Sequence, residues 1–292
     1  MLQDTFEYVK PGSLKEVLSV LDELRGKKAH VLAGGTDLIP RLRDQSKRAE
    51  YVIDLAGAGL NEVVFEKDQL RIGALVTFAT LCRHPEVKNQ APAIAEAAVK
   101  VGAAQTRNLA TIGGNLCEGV PSNDSAPALL ALEARFRLQA KGTDRVVPAE
   151  QFFVGPRRTL LQPAEIMTEI IVPLHDGLKS NFLRFGRRRA MSLSVVSAAA
   201  AVALQDRQTF VTARIALGAV APVPMRAHKA EQVLAGQRVT QPLLAEAASV
   251  AATEISPISD MRGSAEYRRS LAAVLVRRAL ENAIAQTFGV GR

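Results

Sequence analysis

Much of what marks a self-sufficient enzyme is missing from this chain. Two cysteines occur in 292 residues, Cys82 and Cys117, far apart and without CxxC spacing. That excludes a disulfide framework and a self-contained zinc or iron–sulfur site, so any redox metal belongs to another chain. The four histidines, His30, His84, His175 and His228, are dispersed. None has H-E-x-x-H or comparable spacing, and no serine sits in a nucleophile elbow, so they read as structural or surface residues. No apolar run is long enough to span a bilayer, and Met1-Leu2-Gln3-Asp4-Thr5-Phe6-Glu7 lacks the basic-then-apolar order of a secretory signal; a cytoplasmic protein without a transmembrane segment is expected. Tryptophan is absent and tyrosines number three, which leaves few platforms for base stacking. The formal net charge of +8 therefore does not point to nucleic acid. Arg157-Arg158, Arg187-Arg188-Arg189, Arg268-Arg269 and Arg277-Arg278 are scattered between apolar segments, and read as solvated faces, ligand phosphate contacts or a surface for an acidic partner.

Two short glycine-bearing segments are present instead: Ala33-Gly34-Gly35-Thr36-Asp37 after the apolar Val31-Leu32, and Thr111-Ile112-Gly113-Gly114-Asn115 after an alanine-rich stretch. Each sets paired glycines where an element should end, beside a hydroxyl residue and a carboxylate or carboxamide. Glycine allows positive φ and lets backbone N–H groups come close to a ligand, as cradling a phosphate requires. Two such loops suggest a diphosphate. Neither fits the Rossmann fingerprint or the P-loop. Asp37 and Asp124 lie on glycine- or proline-marked loops. A carboxylate repels phosphate, so each is expected either to meet cofactor hydroxyl and N–H groups or to cap a turn.

Ser13-Leu14-Lys15-Glu16 has the form of a capping box, and Leu14, Val17, Leu18, Leu21 and Leu24 follow at helical spacing, predicting a helix to about Gly26. Strands are expected at 30–33 and 51–55, and a hairpin at 62–65 and 70–74 about Lys67-Asp68-Gln69. The alanines of 92–101 predict a helix leading into the second glycine loop. Further on, 126–131 reads as helix, and 134–138 and 166–172 as strands. The polar, glycine-bearing stretch 175–180 is the expected domain boundary. Strands follow at 181–185 and 211–217, and helices near 226–234, 242–253 and 264–284. The apolar run 195–204 is open between helix and buried strand. The second half is thus α+β.

Four stretches carry a family resemblance: Ala33-Gly34-Gly35-Thr36-Asp37-Leu38-Ile39-Pro40, Gln105 to Leu116, Phe152-Phe153-Val154-Gly155-Pro156-Arg157, and Asp260 to Arg269. Together, in order and over nearly the whole chain, they resemble the FAD-binding medium subunit of the molybdenum hydroxylases, the family of the flavoprotein subunits of carbon monoxide and xanthine dehydrogenases. The resemblance implies an α+β fold: a two-lobed FAD-binding domain of the vanillyl-alcohol-oxidase (PCMH) type at 1–176, with lobes at about 1–55 and 56–176. A small C-terminal α+β domain at 177–292, with an antiparallel sheet and helices, follows. It implies FAD contacts from Ala33, Gly34, Gly35, Thr36 and Asp37, from Thr111, Gly113, Gly114 and Asn115, and from Asp124 on the nucleotide side. Arg184 falls where many relatives carry a lysine near the flavin ring. No side chain is expected to be catalytic.

The same resemblance implies a large molybdopterin-binding partner, a small partner with 2Fe–2S clusters, and a dimer of heterotrimers, with FAD relaying electrons to an external acceptor. The cysteine-bearing insertion of 4-hydroxybenzoyl-CoA reductase is lacking, which excludes its extra cluster here. The glycine segments hold no histidine and Cys117 reads as a small buried residue, so FAD is expected to be non-covalent. Two other classes compete: a self-contained flavin oxidoreductase, and a nucleotide-binding assembly module without redox turnover.

Overall fold

The computed structural model describes residues 5–288. The chain begins with β1 (Glu7–Val9), α1 (Leu14–Glu23), β2 (Ala29–Leu32), α2 (Leu38–Arg43) and β3 (Tyr51–Asp54). The three strands make a parallel sheet in the order β1-β3-β2. Helix α1 starts where the capping box sets it: Ser13 Oγ accepts from the Glu16 N–H at 3.3 Å. The Glu16 carboxylate reaches back one residue further than usual, to the Gly12 N–H at 2.8 Å. Its apolar stripe, Val17 and Leu21, packs with Ile53 and Leu55.

The middle of the chain forms a five-stranded antiparallel sheet in the order β4-β5-β10-β6-β7, from β4 (Val63–Phe65), β5 (Gln69–Gly73), β6 (Arg135–Ala140), β7 (Thr143–Pro148) and β10 (Ile166–Pro173). Between β5 and β6 come α3 (Phe78–Arg83), α4 (Pro85–Gln90), α5 (Pro92–Lys100), α6 (Ala104–Leu109), α7 (Ile112–Cys117) and α8 (Ser125–Ala131). Between β7 and β10 lie α9 (Ala149–Phe152) and the small pair β8 (Phe153–Gly155) and β9 (Arg158–Thr159). Leu70, Ile72, Phe136, Leu138 and Ile170 from the sheet meet Phe78, Leu81, Ile94 and Leu129 from the helices in one core. The expected helix at 92–101 is α5, but α6 intervenes before the second glycine segment. That segment is itself helical rather than a loop, with Thr111 as N-cap and Gly113 and Gly114 in the first turn of α7.

The last part holds an antiparallel sheet in the order β11-β12-β13-β14, from β11 (Lys179–Gly186), β12 (Ser194–Gln205), β13 (Thr209–Gly218) and β14 (Met225–Arg226), followed by α10 (His228–Leu234), α11 (Gln241–Glu254) and α12 (Ala265–Thr287). The open run 195–204 is strand. It lacks alternation because both faces of β12 are covered: Ala199 and Ala201 join the core of the five-stranded sheet and its helices, while Ala198, Ala200 and Val202 pack in the core of the C-terminal helices. Polar contacts fix the junction. Glu96 on α5 accepts from Asn181 Nδ2 at 2.9 Å and from the Phe182 N–H at 2.6 Å. Asn282 on α12 donates to Asn181 Oδ1 at 3.1 Å.

Candidate functional site

The C-terminal end of β2, the first turn of α7 and the loop before α8 converge on a cavity of about 580 Å³, within the range of cofactor pockets. Ala33, Gly34, Gly35, Thr36, Asp37, Thr111, Gly113, Gly114, Asn115 and Asp124 all line it. Arg184 does not.

In the first segment Gly35 has φ +70°, and Gly34 lies so close to the α6–α7 connection that a Cβ there would fall 1.9 Å from the Leu109 carbonyl oxygen. Among the described residues, the N–H groups of Gly34, Gly35, Thr36 and Asp37 have no acceptor. Successive backbone N–H groups around a left-handed residue form an anion-binding concavity. This cradle, open onto the cavity, fits a diphosphate.

The second segment differs. Its N–H groups are already engaged: Ile112 to the Val76 carbonyl at 3.0 Å, Gly113 to the Ala74 carbonyl at 2.9 Å, Gly114 to Thr111 Oγ1 at 3.1 Å and Asn115 to the Thr111 carbonyl at 3.0 Å. Its glycines serve close approach instead. A Cβ on Gly113 would lie 2.6 Å from the Ala74 Cβ, and one on Gly114 would lie 2.9 Å from Thr111 Oγ1 and 3.7 Å from the Ala33 Cβ. Gly113 thus lets α7 pack on Ala74, and at Gly114 the cavity wall is low because the side chain is missing.

Asp37 and Asp124 both occupy N-cap positions, of α2 and α8, yet neither side chain makes a capping bond. Asn123 caps α8 in place of Asp124, its Oδ1 accepting from the N–H groups of Ser125 at 2.9 Å and Ala126 at 3.1 Å. Asp124 instead receives Arg184 Nη1 at 2.8 Å and the Ser194 hydroxyl. Burial pushes the Asp124 carboxyl up, while Arg184 and Ser194 hold it down. Burial likewise raises Asp37, joined by the charge of Glu118 and opposed by Arg41 and Arg157. Arg184 lies behind Asp124 with its side chain 4% exposed, and also donates to the Ser192 carbonyl at 2.9 Å.

Several lining residues lay outside the sequence reading. Glu118 accepts from both Arg41 and Arg157, tying α2 to the turn between β8 and β9. His30, dismissed as isolated, faces the cavity and bonds to the Arg48 carbonyl oxygen at 3.0 Å. Met191, Ser192 and Leu193 reach the cavity from the connection between β11 and β12, and nothing local marks them. Asn123 had a readable signal, since an asparagine ahead of an apolar helical run is a capping residue. Cys117, half-buried, also lines the cavity; desolvation pushes its thiol up to about 12, which leaves it unreactive near neutral pH.

A two-lobed fold with a glycine-turn anion cradle, followed by a four-stranded antiparallel sheet backed by helices, defines a flavoprotein class. Residues 4–175 match the FAD binding domain in molybdopterin dehydrogenase, and residues 181–283 match the CO dehydrogenase flavoprotein C-terminal domain. The chain belongs to this family, the FAD-binding medium subunits of molybdenum hydroxylases, which are subunits of oxidoreductases. It is 34% identical to the carbon monoxide dehydrogenase medium chain of Hydrogenophaga pseudoflava, covering 98% of this chain and 99% of the relative. It is 30% identical to the putative xanthine dehydrogenase FAD-binding subunit of Escherichia coli K12, with 98% of each covered. The carbon monoxide dehydrogenase structure from Hydrogenophaga pseudoflava superposes with a TM-score of 0.92 at 34% identity, over 98% of this chain and 99% of that one.

Proposed function

We propose that the chain is the electron-transfer subunit of a molybdenum-dependent hydroxylase or dehydrogenase complex. In this reading it takes electrons from 2Fe–2S clusters of a small partner subunit and passes them by FAD to an external acceptor. The supporting observation is that two glycine segments distant in sequence meet on one cavity, one of them with four unengaged N–H groups. In this reading Gly34, Gly35, Thr36 and Asp37 offer those N–H groups to the FAD diphosphate. Gly114, between Thr111 and Ala33, keeps the facing wall low enough for it to approach, and Gly113 lets α7 pack closely on Ala74. Asp124 keeps unused lone pairs for a cofactor hydroxyl beyond Arg184 and Ser194, and Asn115, whose Oδ1 accepts from the Ser125 hydroxyl at 2.8 Å, offers its amide donors to the cofactor. Arg184 acts through Asp124, fixing that carboxylate in place and opposing the upward push of burial on its pKa.

When bound, FAD supplies one- and two-electron chemistry. The chain's own residues bind and orient it, and none serves as an acid or base. Substrate selection then belongs to a large molybdopterin-binding subunit, in a cytoplasmic dimer of heterotrimers. We place the domain boundary at 176/177. Incubating the purified chain with FAD, desalting it and recording the visible spectrum tests this reading. Retained bands of oxidised flavin that stay unbleached by small substrates until the iron–sulfur partner is added are expected. A chain that remains colourless both alone and in complex with its partners contradicts it.

A further inference from the structure

A second cavity, of about 470 Å³, opens beside the first. Arg187, Arg188 and Arg262 supply its charge, and Met191, Leu193 and Met261 its apolar surface. Met191, Ser192 and Leu193 belong to both cavities, so one strip of chain separates them.

The charge here is uncompensated. Arg262 is paired with Asp260 at 2.9 Å. Arg187 donates only to the Met261 carbonyl at 3.1 Å, and Arg188 only to the Met191 carbonyl at 2.6 Å. Among the described residues no carboxylate forms an ion pair with either. Beside these two guanidinium groups the methionines stand in solvent, Met261 84% and Met191 58% exposed. Guanidinium forks suit phosphate or carboxylate, and methionine adapts its shape to an apolar ligand surface. The hollow is open and shallow, with room for a small molecule whose anionic group meets the guanidinium groups and whose apolar portion lies on the methionines.

We infer that this second cavity binds a small anion, a molecule with a phosphate or carboxylate group and an apolar portion, held by Arg187 and Arg188. The site stands on its own geometry; only its nearness to the flavin rests on the functional reading above. The contacts Asp124–Arg184 and Arg184–Ser192 join the walls of the two cavities.

Calorimetric titration of the FAD-loaded full chain with inorganic pyrophosphate, and separately with benzoate, at low ionic strength tests the assignment. Saturable one-site binding of at least one probe is expected. In the Arg187→Ser/Arg188→Ser variant it should weaken at least about tenfold, the loss expected for charge-assisted hydrogen bonds. Both arginines are exposed, so the variant should fold, and Arg278→Ser, several turns further along α12, should bind like the parent. Affinity unchanged in the double variant overturns the assignment, as does the absence of saturable binding of both probes; the latter would leave the arginines to an acidic protein surface. Bound flavin is read from the visible spectrum of the same samples. Failure of the functional reading therefore appears as missing flavin, whereas failure of this one appears as missing anion binding with flavin present.

Discussion

The two glycine segments read alike, and the structure puts them to opposite uses. At Gly34-Gly35 the backbone turns left-handed at Gly35, and the N–H groups stay unengaged on a segment that lines the cavity. At Gly113-Gly114 the pair sits in a helix, its N–H groups bonded to Ala74 and Thr111, and what it contributes is missing bulk. A glycine pair therefore marks a place of close approach; only the hydrogen-bond inventory says whether the backbone there is a donor or a wall.

That contrast can be broken by substitution. Gly34→Ala should do most, because its Cβ would overlap the Leu109 carbonyl; a loss of about 4 kcal/mol or more in urea unfolding, with no flavin retained, is expected. Gly114→Val should leave the protein folded, as circular dichroism would show. Its side chain stands between Thr111 and Ala33, and FAD should bind at least about 100-fold more weakly, near 2.7 kcal/mol, and be lost on desalting. Full flavin occupancy in the folded variant would show that the wall is not where the diphosphate approaches. Gly113→Ala presses on Ala74 rather than on the cavity and should cost about 2 kcal/mol of stability, measured as a lowered urea midpoint.

Asp124→Ala should weaken FAD about tenfold; Asn123 still caps α8, but the buried Arg184 loses its partner, so stability should also fall, by about 3 kcal/mol in urea unfolding. An unchanged affinity would reduce Asp124 to an anchor for Arg184.

The smallest effect comes from a carboxylate outside both segments. Burial disfavours charge on Asp260, but the Arg262 N–H and the Arg268 and Arg262 guanidinium groups outweigh it and pull its pKa from the ordinary 3.8 to about 2. A depressed folded-state pKa contributes stability above the unfolded value and loses it as pH falls through the folded one. Acid unfolding of the parent should thus steepen between those two values. Asp260→Asn should flatten that limb and leave FAD affinity unchanged.

Elements with a local signal were legible: α1 from its capping box and apolar stripe, the β4–β5 hairpin from its turn, and α11 and α12 as helices near 242–253 and 264–284. The run 195–204 was not, because burial on both faces removes the alternation that distinguishes a strand. The second glycine segment looked like a loop because glycine disfavours helix by about 1 kcal/mol per residue; the Thr111 cap and the packing on Ala74 override that preference. In the site, the glycines and both aspartates were readable as types in a pattern. The strip 191–193, His30 and the Glu118 clamp were not, since tertiary contacts alone bring them to the cavity. Arg184 was placed beside the flavin by resemblance, and a sequence cannot show that Asp124 stands in front of it.

Hydrogen–deuterium exchange of the chain with and without FAD tests the central contrast most directly. Amides of 34–37 should exchange fast in the free protein and become protected when FAD binds, while those of 112–115 exchange slowly in both states. Protection appearing at 112–115 instead, or none at 34–37 while the visible spectrum shows flavin bound, would contradict the assignment of the first turn as the diphosphate donor.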